Sequence, residues 1–274
     1  MGKIKTLDQI MNSEVCIWAE ADYAPIYVKG CTFERYGTNP YDTYRITWSY
    51  YVEEPTDEEL TDEELADEGE DDDPYVPIAM AEIWTANFED FDEAVEYMDD
   101  CSGDACGAAE TALSYYKKYP KRCKHLKNDM VWGCGAEVIE LHTFYVSPEF
   151  RGKGIATSIL LKLPELLGQL NIEQGIITAY INPFINQTKS LSDKDSVKWF
   201  KGYFEDKVVE RYSRMKTEES KEISKALEHI FEKCGFSKMG EDSEYYAVSM
   251  EYLRNQAVKK NIVPEEMLWL WEHR

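Results

Sequence analysis

The chain has 274 residues, 43% of them hydrophobic, with 53 acidic against 30 basic side chains and a formal net charge of −23. That apolar content supplies a sizeable core, so a folded globular protein is expected. The negative field repels phosphate backbones and anionic lipid, which argues against nucleic-acid and membrane partners, and no apolar run approaches the ~18 residues of a membrane span.

The stretch from Cys16 to Tyr27 is mixed and interrupted by Pro25, whereas Tyr41 to Val52 (YDTYRITWSYYV) has the β-branched and aromatic content of a strand. Residues 53–74 follow as an acidic loop: Glu53 to Asp73 alone holds 14 carboxylates and no Lys or Arg, more than half of the net charge. Too little apolar surface is present there to offset the entropy of ordering it. Pro77 to Ala86 then reads as a strand returning beside the first, which makes the acidic loop an insertion in a hairpin.

Residues 88–119 read as a helical insertion, with one helix over Phe88 to Asp99 (Phe91, Val95, Met98 inward) and a second over Asp104 to Tyr119 (Ala109, Ala112, Leu113, Tyr116 inward), ending at Pro120. Glu137 to Val146 is a strand, Gly154 to Leu170 a helix with Ile155, Ile159, Leu160, Leu163, Leu166 and Leu167 inward, and Gly175 to Ile181 a further strand. Pro164 is expected to kink or break that helix. After a polar helix-prone segment comes an amphipathic helix from Glu219 to Cys234, striped by Ile223, Ala226, Leu227, Ile230 and Phe231 and stopped by Gly235. Glu244 to Leu253 reads as a last long strand, and residues 263–274 as a short C-terminal helix opened by Pro264.

A strand ending at Val146, a glycine turn, and a helix opening at Gly154 bring several free backbone N–H groups and a helix dipole to one point, which is an anion site. Gly152 and Gly154 let backbone approach a diphosphate, and Arg151 and Lys153 add charge. The cysteines Cys101, Cys106, Cys123 and Cys134 with His125 lack the close-set ligand pairs of a zinc site, so no metal is expected and the thiols read as free, in a cytoplasmic protein.

The run V-S-P-E-F-R-G-K-G-I-A, Val146 to Ala156, resembles motif A of the GNAT acetyltransferases, where R/Q-x-x-G-x-G/A cradles the pyrophosphate of coenzyme A; Arg151, Gly154 and Ala156 fill it. A second run, F-E-K-C-G-F from Phe231 to Phe236, is similar to the family's Y-E-K-L-G-F. The resemblance implies a mixed α/β (α+β) fold: a largely antiparallel central sheet, V-shaped at its middle and flanked by helices, in a single domain over 1–274, with insertions at 53–74, 88–119 and 184–222. It implies acetyl-CoA as acyl donor, bound by Phe144, Tyr145 and Val146 through backbone groups, by Arg151, Gly152, Lys153, Gly154, Ile155 and Ala156 at the turn, and by Asn182 after the next strand.

An amine attacks a thioester only when neutral, so a carboxylate or imidazole must take its proton. Glu140, His142 and Phe144 share one face of their strand by alternation, and Glu140 stands where the family's histone acetyltransferases carry a catalytic Glu. Glu140 is the first candidate base and His142 the second; a structural ion pair is the competing reading of Glu140. Relatives often use a Tyr as general acid where this chain has Phe231, leaving Cys234, Tyr180, Tyr245 or unassisted departure of the thiolate open. The expected function is N-acetyl transfer to a primary amine, with a cationic acceptor, small molecule or protein, favoured by the acidic field, and a homodimer left open. The alternative is a non-catalytic acetyl-CoA-binding or acidic interaction module on the same scaffold.

Overall fold

The structure is a computed structural model, and it describes residues 32–36, 42–51, 75–88, 90–99, 103–124, 126, 136–146, 150–170, 172–181, 217–240 and 243–262. The Cys16–Tyr27 stretch, the acidic loop 53–74, Asn182, most of 184–222 and the 263–274 helix lie outside the described residues. The chain divides into two compact units, one of Met1–Ile83 with Phe144–Ile155, the other of Trp84–Thr143 with Ala156–Arg274.

In the first unit, β1 (Thr32–Tyr36) pairs antiparallel with β2 (Asp42–Tyr51) in a register running from Thr32↔Thr47 to Tyr36↔Thr43. β2 is next to β3 (Tyr75–Phe88), whose first residues belong here. Tyr44, Ile46 and Trp48 are buried at alternate positions, as one face of β2 turned to a core requires. β1 has no counterpart in the sequence reading.

The second unit carries a sheet of five strands in the order β3-β4-β5-β7-β6, where β4 is Ala136–Val146, β5 Ile176–Tyr180, β6 Ser237–Lys238 and β7 Tyr245–Ser249. β4 and β5 are parallel from Val138↔Ile176 to Leu141↔Ala179, while β7 pairs antiparallel with β5 and with β6. The fold is mixed α/β with a mostly antiparallel sheet.

Five helices accompany the described strands. α1 (Phe91–Asp99) begins where Asp90 Oδ1 accepts the N–H groups of Asp92 and Glu93, at 2.9 and 2.8 Å, an N-cap that ends β3 at Phe88 and moves the helix start three residues past the expected one. Its buried residues are Phe91, Ala94 and Met98; Val95 is half-buried. α2 (Gly103–Lys118) lies against β5 and β7. It buries Ala105, Ala108, Ala109, Ala112 and Tyr115, a small-residue face suited to close approach to a sheet, whereas the expected Leu113 and Tyr116 are only half-buried.

α3 (Ile155–Gln169) buries all six residues expected of it and Leu161 besides. It continues through Pro164 instead of breaking there: proline removes one hydrogen bond, and the dense apolar burial on both sides holds the remaining turns in place. α4 (Thr217–Cys234) has Phe231 and Cys234 buried, but Ala226 of the expected stripe is exposed and Ile223, Leu227 and Ile230 are half-buried. Gly235 ends it at φ 109°, its N–H donating to Phe231 O and Glu232 O while Phe236 N–H also returns to Phe231 O, the closure that left-handed glycine permits.

The expected strand from Glu244 to Leu253 is half strand and half helix. β7 stops at Ser249, whose Oγ accepts the Tyr252 N–H, and α5 (Met250–Lys259) starts there. Among the described residues, no helix is long and apolar enough to cross a membrane.

Candidate active site

The described part of the turn after β4 has a buried residue at each end and four exposed residues between them. Phe150 and Ile155 are buried, while Arg151, Gly152, Lys153 and Gly154 between them stand in solvent. Gly152 has φ 73° and Gly154 φ 81°, a left-handed conformation that costs an L-residue roughly 1–2 kcal/mol. A Cβ on either glycine would meet nothing within 4 Å. The glycines are therefore required by backbone conformation, and the space beside both is open to a ligand.

The charges of the turn are held in place. Arg151 Nε donates to Val146 O at 2.8 Å, and its guanidinium carbon lies 5.5 Å from the centre of the Tyr145 ring. Lys153 Nζ lies 5.4 Å from the centre of the Phe150 ring. The first turn of α3 contains no acidic residue, so nothing there opposes an anion at the helix N-terminus, where free N–H groups and the dipole favour one. Two cations, two left-handed glycines and an acid-free helix start fit a diphosphate. Phe144, Tyr145 and Val146 are the last three residues of β4.

The expected catalytic pair lies earlier on β4. Glu140 and His142 are two residues apart and project to the same face, with His142 Nδ1 3.2 Å from Glu140 Oε1. The Glu140 side chain is 3% exposed and that of His142 14%. A carboxyl group this buried needs a hydrogen-bond partner, and His142 Nδ1 lies within reach of it. The indole of Trp84, on β3, stacks on the imidazole with centroids 3.9 Å apart and planes 12° from parallel. Trp84 was absent from the sequence reading; alternation along PIAMAEIWTA gives it a face, but nothing in that run says which strand pairs alongside.

The candidate acids are placed differently from one another. Phe231 is 4% exposed and packs edge-on against Phe236, centroids 4.8 Å apart at 71°. Cys234 is buried with Sγ 3.9 Å from Thr157 O, and that burial pushes its thiol up to about 11. Tyr180 and Tyr245 are register partners with rings 4.9 Å apart, and the Tyr180 hydroxyl donates to Glu244 Oε2. Among the described residues no group of three His, Cys, Asp or Glu side chains is arranged to hold a metal ion.

Comparison with known families finds a match over residues 41–187, to the model described as the acetyltransferase (GNAT) family. The matched stretch takes in β2 and β3 as well as β4, the glycine turn, α3 and β5, so the earlier strands share in the likeness along with the motif region. It ends before Phe231 to Phe236. No curated protein and no solved structure matches the chain.

Proposed function

Since the chain belongs to the acetyltransferase (GNAT) family, we propose that it is an acetyl-CoA-dependent N-acetyltransferase that passes acetyl directly to a primary amine. The observation that carries this reading is the turn at Arg151–Gly154, with two left-handed glycines facing open space ahead of an acid-free helix start. Arg151, Gly152, Lys153, Gly154, Ile155 and Ala156 would hold the pyrophosphate, and backbone groups of Phe144, Tyr145 and Val146 the pantetheine arm, with Asn182 as a further contact. When bound, the donor supplies an electrophilic thioester carbonyl and a thiolate leaving group.

Glu140 and His142 would remove a proton from the acceptor amine. The acidic composition, net −23, favours encounter with a cationic acceptor, whether a polyamine, an aminoglycoside or a lysine-rich protein. We place the reaction in the cytoplasm.

One observation favours a second reading, an acetyl-CoA-binding module without catalysis. Phe231 occupies the place of the usual acid, has no hydroxyl, and is committed to the core against Phe236. Calorimetric titration of acetyl-CoA into the wild type and Gly154→Glu tests the first step. The expected result is saturable binding by the wild type and none by a folded mutant, whose added carboxylate enters the open space beside the turn. Absence of wild-type binding overturns both readings. Binding without acetylation of any amine in a screen of polyamines, aminoglycosides and lysine peptides selects the second.

A further inference from the structure

We infer that the basic surface at the end of α2 is a docking site between copies of this chain, and that the acidic segment Glu53 to Asp73 of a second copy occupies it. This surface has no part in the acetyltransferase reading.

Two opposite charge runs lie in one sequence. Residues 117–127 hold Lys117, Lys118, Lys121, Arg122, Lys124 and Lys127, a fifth of the chain's 30 cations, and no carboxylate lies between Glu110 and Asp129. Glu53 to Asp73 is the reverse, with 14 carboxylates and no Lys or Arg. A chain of net −23 that gathers its cations in this way keeps one site of attraction within a repelling field.

The end of α2 and the turn after it hold the cations at the surface on a fixed frame. Cys123 and Leu126 are buried, and the short 3-10 helix Pro120–Arg122 is closed by the Arg122 N–H, which donates to Tyr119 O at 2.9 Å. Ser249 Oγ donates to the Arg122 carbonyl oxygen, and the Arg122 guanidinium packs on the rings of Tyr119 and Tyr252. Around this anchor Lys117, Lys118, Lys121 and Lys124 are exposed. Lys117 pairs with Asp92 at 3.5 Å, while among the described residues Lys118, Lys121 and Lys124 have no carboxylate partner. A frame held this way loses little conformational freedom when an anion settles on it.

Charge complementarity and the length of the acidic run select the occupant. The 23 residues from Val52 to Pro74 join Tyr51 of β2 to Tyr75 of β3, and half of their contour is about 40 Å. A segment of that reach meets another molecule well away from the strands that carry it. Pairing between copies is open whatever the arrangement of the two units within one chain. Nucleic acid and anionic lipid would offer the same charge, but as extended surfaces that the rest of this acidic chain repels. A tethered loop reaches the lysines alone.

Screening decides whether the contact outweighs repulsion between two chains of net −23. At about 0.15 M salt the Debye length is about 8 Å, so distant charges are muted while carboxylates against the lysines are not. At about 10 mM it is about 30 Å, and net repulsion acts across both molecules; at about 1 M it is about 3 Å, and the contact itself is screened. Each exposed pair is weak, so several must act together. Association therefore passes through a maximum between the two extremes of salt.

Sedimentation velocity of the full chain at these three salt concentrations, over a wide range of protein concentration, tests the inference. The wild type is expected to associate most strongly at the middle one. Lys118→Glu, Lys121→Glu and Lys124→Glu together should weaken association roughly ten-fold or more, and Lys→Gln at the same positions by less. A chain with the carboxylates of Glu53 to Asp73 replaced by their amides should lose association as well. Mixing that chain, which keeps only the patch, with the Glu-substituted one, which keeps only the segment, should restore a one-to-one pair. A wild type that stays monomeric at all three salt concentrations overturns the inference whether or not any variant folds. Association that climbs steadily to the highest salt, the mark of an apolar contact, overturns it too. So does a failure of the two variants, each folded by circular dichroism, to pair on mixing, which assigns the segment to its own chain or to another partner.

Discussion

The hydroxyl of Ser249 donates to the carbonyl oxygen of Arg122, 127 residues earlier in the chain, and accepts the N–H of Tyr252 at 3.3 Å. The same Arg122 has its guanidinium carbon 4.5 Å from the centre of the Tyr119 ring and 4.2 Å from that of Tyr252, and donates to Ser237 Oγ at 3.2 Å. One serine thus ends β7, starts α5 and ties both to the turn that follows α2. Ser249→Ala removes the cap and leaves a carbonyl without its donor, so it should cost about 1–2 kcal/mol in urea unfolding. Ser249→Thr, which keeps a hydroxyl, should recover part of the loss.

Two glycines with positive φ should respond unequally to alanine. At Gly175, φ 151°, the added Cβ would lie 2.7 Å from Glu137 O and 2.9 Å from Ile139 Cδ1, against backbone that cannot yield without disturbing β4 and β5. Gly175→Ala is expected to cost about 3 kcal/mol, strain and overlap together. Gly154→Ala meets no neighbour and should cost only about 1 kcal/mol, yet weaken acetyl-CoA binding because its methyl enters the ligand's space. A calorimetric series in which Gly175→Ala weakens binding more than Gly154→Ala contradicts the placement of the phosphates.

Alkaline stability should carry the signature of Cys234. Burial raises its thiol from 9.0 to about 11, with Lys260 and Lys233 acting in the opposite sense. Between those values the folded chain keeps a proton that the unfolded chain has released, so stability is intact below pH 9 and falls as pH rises to 11. Two pH units correspond to roughly 2–3 kcal/mol. Unfolding measured from pH 8 to 11 should show a steeper decline in the wild type than in Cys234→Ala, and parallel curves would contradict the shift.

Restoring the tyrosine of the motif is expected to harm the protein. Phe231 is enclosed by Phe236 and, at 6.3 Å between centroids, by Tyr246. A hydroxyl added there must find a partner in an apolar setting, so Phe231→Tyr should lose about 1–2 kcal/mol of stability and gain no turnover. A faster enzyme of undiminished stability would show that the hydroxyl reaches the leaving thiol.

The parts of the fold that were legible in the sequence are those where one period dominates. All six inward residues of α3 came from the helical spacing of isoleucine and leucine, and β2 from a run of aromatic and β-branched residues. Where a side chain's partner decides, the sequence ran out. Glu244 to Leu253 reads as one strand from its composition, and the bond from Tyr252 N–H to Ser249 Oγ marks where strand gives way to helix. The Glu140–His142 pair was readable because two residues on one strand share a face. Its third member was not, since Trp84 reaches His142 only through the alignment of β3 with β4.

Because β7 lies between β5 and β6, the neighbour that closes the free side of β5 is made long after β5 itself. A ribosome adding roughly 5–20 residues per second needs several seconds to travel from Tyr180 to Ser249. Throughout that interval the nascent chain carries Ile176–Tyr180, an apolar strand with one ladder of hydrogen bonds still unmade. Such an edge invites pairing with other chains, so yield during synthesis should depend on how quickly Tyr245–Ser249 is delivered to it and on holdase chaperones that cover it meanwhile.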